Sequence, residues 1–326
     1  MIDFCGSIFE KNVVGGEKLS ISRRYVIKGL FGIVLSLVCM IAVGCGAKEA
    51  ENAGQTEPIP SEELVAEEVS QVQVFNIKMP KIGKADTALL YMEGETEAVV
   101  IDTGKDDDGP EIVEKLEELG ITRVSHLIIT HYDKDHMGGA AYVLEHIPVG
   151  QVIQPGYPKT GDGFEAYQEA VKAYVSDVCT VSEDMEFSVG LLSLCVYPEN
   201  DSENQYFEEG EDNDRSLVTM VSYQGKKFLF TGDIEEKRIE LLLDSGVDLS
   251  CDWVKIPHHG DFNSQTENLL KAAGAKDGVI CCSKKNPAEE ETVDAVRRAG
   301  MTCWITADGD ITFTCDGESI YGEQEQ

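Results

Sequence analysis

The run Thr130-His131-Tyr132-Asp133-Lys134-Asp135-His136-Met137-Gly138-Gly139 constrains this chain more than any other segment. It places four groups able to bind a metal within six residues, after the apolar strand pattern His126 to Thr130 and before a helical pattern over Gly138 to His146. Because the chain must turn there, these side chains converge on one point at a strand end. A merely solvated turn has no need of clustered His and Asp after an apolar strand. Two more of the six histidines stand together in Ile256-Pro257-His258-His259-Gly260, again after a strand pattern. His126 and His146 read as surface or partly buried residues outside this constellation.

The rest of the chain supplies a scaffold of β and then α patterns. Val72 to Ile77, Ala88 to Tyr91 and Ala98 to Ile101 read as strands, and Ile112, Val113, Leu116 and Leu119 carry a helical stripe that stops at Gly120. The second half repeats the plan, with strands at Leu217 to Ser222, Lys227 to Phe230 and Trp253 to Ile256. Its helices fall at Ile234 to Leu243, Thr266 to Ala273 and Glu289 to Ala299. Two β-rich halves, each followed by helices, predict an α+β fold with two sheets covered by helices on both sides. Val100-Ile101-Asp102-Thr103-Gly104 and Leu229-Phe230-Thr231-Gly232-Asp233 also match each other, each ending a strand on Asp beside Thr and Gly.

The N-terminus reads as an export address. Arg23, Arg24 and Lys28 precede the apolar run Leu30 to Val43, whose 14 residues fall short of the ~20 that span a bilayer. Ala42-Val43-Gly44-Cys45 resembles a bacterial lipoprotein box with Cys45 as the lipidated residue; an uncleaved anchor or an ordinary secretory signal is the alternative. Ser22 to Lys28 also resembles a twin-arginine motif, and synthesis is expected to start near Leu19. Residues 46–70 hold seven Glu, one Lys and two Pro, too little apolar surface to fold, and read as an acidic flexible linker. The signal segment is thus 1–45 and the folded domain 71–326.

Composition narrows the partners. With 60 acidic against 27 basic residues the formal charge is −33, which disfavours non-specific DNA or RNA binding unless a cationic patch or a metal reverses the field locally. The ten cysteines include no C-x-x-C pair and are expected mostly as small core hydrophobes, with Cys281 and Cys282 in a strand-like run. A faint calcium-loop likeness at Asp106-Asp107-Asp108-Gly109 fails at Gly104 and Lys115, where acidic ligands would be needed.

Taken together, His131-x-Asp133-x-Asp135-His136-x-Gly138-Gly139, Asn213-Asp214-Arg215-Ser216, Phe230-Thr231-Gly232-Asp233 and Pro257-His258-His259-Gly260 resemble the motifs of a metallo-β-lactamase-fold hydrolase. The likeness runs from about residue 71 to the end and is greatest to the extracellular hydrolase domain of the competence DNA-uptake channel and its stand-alone relatives. Gly83-Lys84-Ala85-Asp86 sits where those relatives carry a Gly-rich, Asp-containing loop. The resemblance implies a four-layer αββα sandwich and two divalent metal ions, Zn or Mn. It implies that Asp135, His136 and His259 hold one ion, that His131 and Asp133 hold the other, and that Asp233 bridges them. No histidine lies between His146 and His258, so Asn213 or Ser216 is expected to complete the His131 side, directly or through water. Asn286-Pro287 stands where relatives carry His-Pro.

The chemistry expected of such a site is hydrolysis. A divalent ion brings the pKa of water toward ~7 and stabilises a departing oxygen. Asp135 would aim the nucleophile, Lys134 or Lys255 would neutralise a phosphate, and His258 would assist or donate to the substrate. The resulting expectation is an exported, lipid-anchored hydrolase of phosphodiester bonds in nucleic acid or an envelope phosphate polymer, on the outer face of the membrane. Hydrolysis of a lactam, lactone or thioester on the same fold is one alternative. A surface lipoprotein that binds without catalysis is the other, supported by the missing histidine and the missing His-Pro.

Overall fold

Alternation along the first strands decides what must surround them. In β1 (Phe75–Met79), β2 (Ala88–Met92) and β3 (Glu97–Ile101), Phe75, Ile77, Leu90, Val99 and Ile101 join one buried cluster, whereas Leu89, Ala98 and Val100 join another. Successive side chains leave opposite faces of a strand, so a sheet apolar on both faces needs a cover on each.

The structure, a computed structural model describing residues 73–199 and 212–325, supplies both covers. After β3 come α1 (Gly109–Glu118), β4 (Arg123–Ile128), the single turn α2 (Lys134–Met137), α3 (Ala140–His146), β5 (Val149–Pro155) and α4 (Asp162–Tyr174). Next are β6 (Val178–Val181), β7 (Met185–Val189), β8 (Leu192–Tyr197), β9 (Val218–Tyr223), β10 (Lys226–Phe230), α5 (Glu236–Asp244) and β11 (Trp253–Lys255). The chain ends with α6 (Thr266–Ala273), β12 (Asp277–Ile280), α7 (Glu290–Arg298), β13 (Thr302–Ile305), β14 (Ile311–Cys315) and β15 (Ile320–Gln324). One sheet runs β15-β14-β1-β2-β3-β4-β5-β6 and the other β13-β12-β11-β10-β9-β8-β7. Both are mixed, with parallel neighbours from β3 to β6 and from β10 to β13.

Three apolar layers follow. Between the sheets, Phe75 packs on Phe228 at 5.2 Å and Trp253 on Phe313 at 5.7 Å between ring centroids. Outside the first sheet Ile112, Leu116, Val143 and Tyr167 bring in α1, α3 and α4. Outside the second, Ile239, Leu242, Leu269, Leu270 and Val296 bring in α5, α6 and α7. This is the four-layer αββα sandwich expected from the sequence.

Two local differences matter. The helix expected over Gly138 to His146 begins at Ala140, and the separate turn α2 precedes it. The strand expected through Cys281 and Cys282 ends at Ile280, leaving both thiols buried just beyond it. The seven cysteines among the described residues are all free thiols. The expected signal segment 1–45, Cys45 and the linker 46–70 lie outside the described residues.

Candidate metal centre

Much of the centre is delivered by strands that stop, with Asp86 added from the loop before β2 and Asp135 and His136 from α2. β3 runs into Asp102, β4 into Thr130 and His131, β10 into Asp233 and β11 into His258 and His259. Three of these residues take left-handed backbone conformations rare for a side chain with a Cβ: Asp102 (φ 59°), His258 (φ 47°) and His259 (φ 51°). The strain is concentrated where carboxylates and imidazoles are aimed inward.

His136 shows how the aiming is done. Its Nδ1 donates to Asp102 Oδ2 at 2.7 Å, and its Nε2 faces Asp233 Oδ2 at 3.0 Å. The two matching strand ends seen in the sequence therefore hold the same imidazole by its two edges. Asp102 is itself fixed by the Thr130 backbone N–H at 2.8 Å and the Thr130 hydroxyl at 2.7 Å. His259 Nδ1 donates to the Cys281 carbonyl at 2.9 Å, which leaves its Nε2 facing Asp233 Oδ2 at 3.1 Å and Asp135 Oδ2 at 3.5 Å. Fixing Nδ1 in this way sets the tautomer and frees Nε2 for an ion.

Asp86, His136, Asp233 and His259 are all buried and can offer one ligand atom each within 4.8 Å of one another. Asp86 reaches this group from the Nδ1 edges, 3.4 Å from His259 and 3.9 Å from His136. The buried Nε2 atoms of His131, His136 and His259 and Asp86 Oδ1 have no hydrogen-bond partner. Buried polar atoms without partners are costly, so their convergence fits a divalent cation. Imidazole and carboxylate together suit Zn²⁺ or Mn²⁺ chemistry.

The electrostatics agree. Burial works against charge on His136, but Asp233, Asp86 and Asp102 outweigh it and raise its pKa to about 10. Burial also opposes charge on His259, and Asp233, Asp86 and Asp135 lift it to about 12. His131 goes the other way, held well below 6.5 by burial and by His136 beside it. Burial would raise the Asp135 carboxyl, yet the His259 imidazole 3.5 Å away and the charge of His136 bring it down to about 2. In the metal-free protein, protons on His136 and His259 offset the carboxylate charge that a cation would otherwise neutralise.

The other residues singled out from the sequence fall into two places. His131 is buried with Nδ1 near the hydroxyls of Thr130 (3.1 Å) and Ser216 (3.3 Å). Asp133, half-exposed, lies 3.9 Å from His131 Nε2 but 3.1 Å from the Lys159 ammonium, which also bonds Asp212. Asn213 gives its amide to Glu235 at 2.8 Å and meets His258 Nε2 at 3.3 Å, on the rim instead of in the four-donor group. His258 lies there too, with Nδ1 3.1 Å from Glu235 and Nε2 3.6 Å from Asp261. Lys134 is exposed.

Lys255, expected to neutralise a phosphate, is instead the buried last residue of β11 and is spent on the protein's own carboxylates. Its ammonium donates to the Gly232 carbonyl at 2.7 Å and to Asp233 Oδ1 at 2.9 Å, and pairs with Asp86. Asp86 and Asp102 were legible only as a loop acid and a strand-end acid. Lys159 gave no signal, because its partners lie 26 residues upstream and 53 downstream.

A family model described as the metallo-beta-lactamase superfamily matches residues 85–284, more than half of the chain. The chain belongs to the metallo-beta-lactamase superfamily. Within it, the chain is similar to ComE operon protein 3 of Bacillus subtilis, 25% identical over 64% of this chain and 28% of that protein. It is also similar to Recombination protein 2 of Haemophilus influenzae, 26% identical over 63% of this chain and 24% of the other. The chain thus spans about a quarter of the length of these relatives. In shape it resembles CmlA, a diiron beta-hydroxylase from Streptomyces venezuelae, at 15% identity over 72% of this chain and 52% of that one, with a TM-score of 0.44.

Proposed function

We propose that this metallo-beta-lactamase-superfamily protein is a metal-dependent phosphodiesterase that cuts short stretches of nucleic acid at the outer face of the cell membrane. The observation that carries the reading is the convergence of the buried His136 and His259 Nε2 atoms on Asp233 Oδ2, at 3.0 and 3.1 Å, with Asp135 Oδ2 3.5 Å from His259 and the partnerless Nε2 of His131 beside them. A divalent cation held by His136, His259 and Asp233, with Asp86 behind them, would polarise a phosphoryl oxygen and bring water near a pKa of ~7.

The chain's own residues do the rest. Asp135 is ionised at neutral pH and its side chain is 30% exposed, so it touches both the centre and entering water and accepts the hydrogen bond that aims the nucleophile. Asp102 and the Cys281 carbonyl hold the two imidazoles in register. Lys134 beside Asp135, with Lys84 and His258 around Asp261, offers donors for phosphate oxygens at the rim. On a chain of net charge −33 such a local cationic edge favours a short substrate over long duplex DNA. A relative named for recombination supports nucleic acid as the substrate class. The carboxylate-rich motif makes Mn²⁺ competitive with Zn²⁺, and a lipid on Cys45 would place the domain outside the membrane.

The test is turnover by the purified chain, stripped with chelator and reloaded with Mn²⁺ or Zn²⁺, on a chromogenic phosphodiester, a short single-stranded oligonucleotide and a β-lactam. Metal-dependent cleavage of the first two is expected. Turnover of the lactam alone would replace the phosphodiesterase reading, and failure to bind any ion would favour a non-catalytic binding lipoprotein. Cys45→Ala should leave an unprocessed or released protein; unchanged fractionation would remove the lipid anchor from the proposal.

A further inference from the structure

We infer that Lys159 is a positioning residue of the metal centre: it holds one oxygen of Asp133 and so turns the other toward His131, readying that pair for a divalent ion beside the one at His136, His259 and Asp233. The inference rests on the metal-centre reading above and concerns a residue that lies outside every motif. Asp133 precedes α2 at the position where an Asp side chain ordinarily bends back to accept from a backbone N–H of the first turn. Its carboxylate makes no such bond. Instead Oδ1 accepts from the Lys159 ammonium at 3.1 Å, and Oδ2 stands 3.9 Å from His131 Nε2, a buried nitrogen with no hydrogen-bond partner. The Asp133 side chain is 39% exposed, so the ammonium, more than packing, keeps it in that pose. Without the lysine, the carboxylate is free to fall back onto the helix end and leave His131.

The loop that brings the lysine, between β5 and α4, is itself tied to the motif. The Tyr132 backbone N–H donates to the Tyr157 hydroxyl at 2.8 Å, and the Tyr132 hydroxyl donates to the Pro155 carbonyl at 2.7 Å. Tyr132 stands between His131 and Asp133, so these two bonds clamp the backbone of the ligand pair to the loop that carries Lys159. Arg215 lies over the Tyr157 ring, 5.5 Å from its centroid. The ammonium also bonds Asp212, which fixes its position from a second side. One positive charge shared by two carboxylates leaves that corner negative, so the lysine orients Asp133 without turning a cation away. Outer hydrogen bonds to ligating groups of this kind are typically worth 10–100-fold in metal affinity.

Mn²⁺ binding to the full chain, stripped with chelator, tests this without turnover. Free Mn²⁺ is followed by electron paramagnetic resonance in the wild type, Lys159→Met, Lys159→Arg, and Asp133→Ala with and without Lys159→Met. The wild type is expected to take two Mn²⁺ per chain. Lys159→Met should bind the weaker ion about 10–100-fold less tightly and the tighter one as before. Lys159→Arg should recover most of that loss. Asp133→Ala should lose the weaker ion, and adding Lys159→Met to it should change nothing at the one that remains. A lysine with a merely structural role would weaken both ions alike, and that result would overturn the inference. Unchanged or tighter binding of the weaker ion in Lys159→Met would overturn it too, as would a wild type that takes a single ion. Each of these outcomes leaves the phosphodiesterase reading standing, whereas binding of no ion by any of the proteins would overturn both.

Discussion

Lys134 and Lys255 stand in the same kind of sequence context, a cation beside a metal-binding motif, yet they end in different dielectric surroundings. Lys134 opens α2 and meets solvent, so its truncation to Ala should raise KM while leaving kcat near wild type, measured on one phosphodiester. Lys255 is the last residue of β11 and is sealed against Asp86 and Asp233, which gives a different expectation. Removing one partner of a buried ionic cluster leaves the others uncompensated, so Lys255→Met should cost about 3–5 kcal/mol in the metal-free protein. Added Mn²⁺ should recover part of that loss, because it supplies the missing positive charge. Urea denaturation with and without Mn²⁺ measures both effects, and an unchanged midpoint would contradict this account of Lys255. At Asp135 the expectation is catalytic instead: Asp135→Asn should lower kcat by several orders of magnitude with the ion still bound. Near-normal turnover there would remove Asp135 from its aiming role.

At the scale of elements, the centre depends on close contact between the end of β3 and the α2–α3 corner. The Thr103 N–H donates to the His136 carbonyl at 2.6 Å, and the Thr103 hydroxyl reaches the same oxygen at 3.1 Å. That approach is possible because Gly139 has no side chain: a Cβ there would lie 2.2 Å from the Thr103 carbonyl oxygen. This contact also explains why the expected helix divides into α2 and α3, since the corner between them is pressed against β3. Gly139→Ala should therefore destabilise the fold by roughly 1–3 kcal/mol, as overpacking does, and should weaken Mn²⁺ binding by displacing His136. Thermal unfolding and metal titration of the variant check this; wild-type values in both would mean that the corner is not tightly packed.

For the whole molecule, charge links stability, pH and metal. In the metal-free protein His136 and His259 carry folded-state pKa values of about 10 and about 12 against 6.5 when unfolded. Groups raised in this way stabilise fully below their unfolded pKa, and the contribution is lost as pH rises from about 6.5 through the folded values. Tm of the stripped protein should thus fall across the alkaline range. Metal binding displaces those protons, so the increment in Tm from added Mn²⁺ should grow as pH rises. Tm measured from pH 6 to 9 with chelator and with Mn²⁺ tests the opposite slopes, and parallel curves would separate the imidazoles from metal binding. Asp86 and Asp233, both held below the ordinary carboxylate range despite burial by the cations around them, add stability that is lost only in acid.

By itself the sequence determined what depends on near neighbours. Apolar alternation placed β1 to β4 and β9 to β11, and the 3.6-residue stripe placed α1, α5, α6 and α7, because these patterns are written within a few turns or pleats. Two β-rich halves, each followed by helices, gave the two helix-covered sheets, the resemblance of the motifs gave the four-layer order, and His131, Asp133, Asp135 and His136 were grouped because six residues cannot spread them apart. The stretch from β5 to β8 was not read in the same way: β6 and β7 are short, half-exposed edge strands of their sheets, although Met185 to Val189 alternates apolar and polar residues and carries a strand signal of its own. Tertiary structure alone decided which residues face one another across the sandwich. It set Asp102 and Asp233 on the two edges of His136, buried Lys255 between Asp86 and Asp233, and brought Lys159 to Asp133 and Asp212. These contacts join strand ends far apart in the chain, and only stacking two sheets with their site-bearing ends on a common edge creates them.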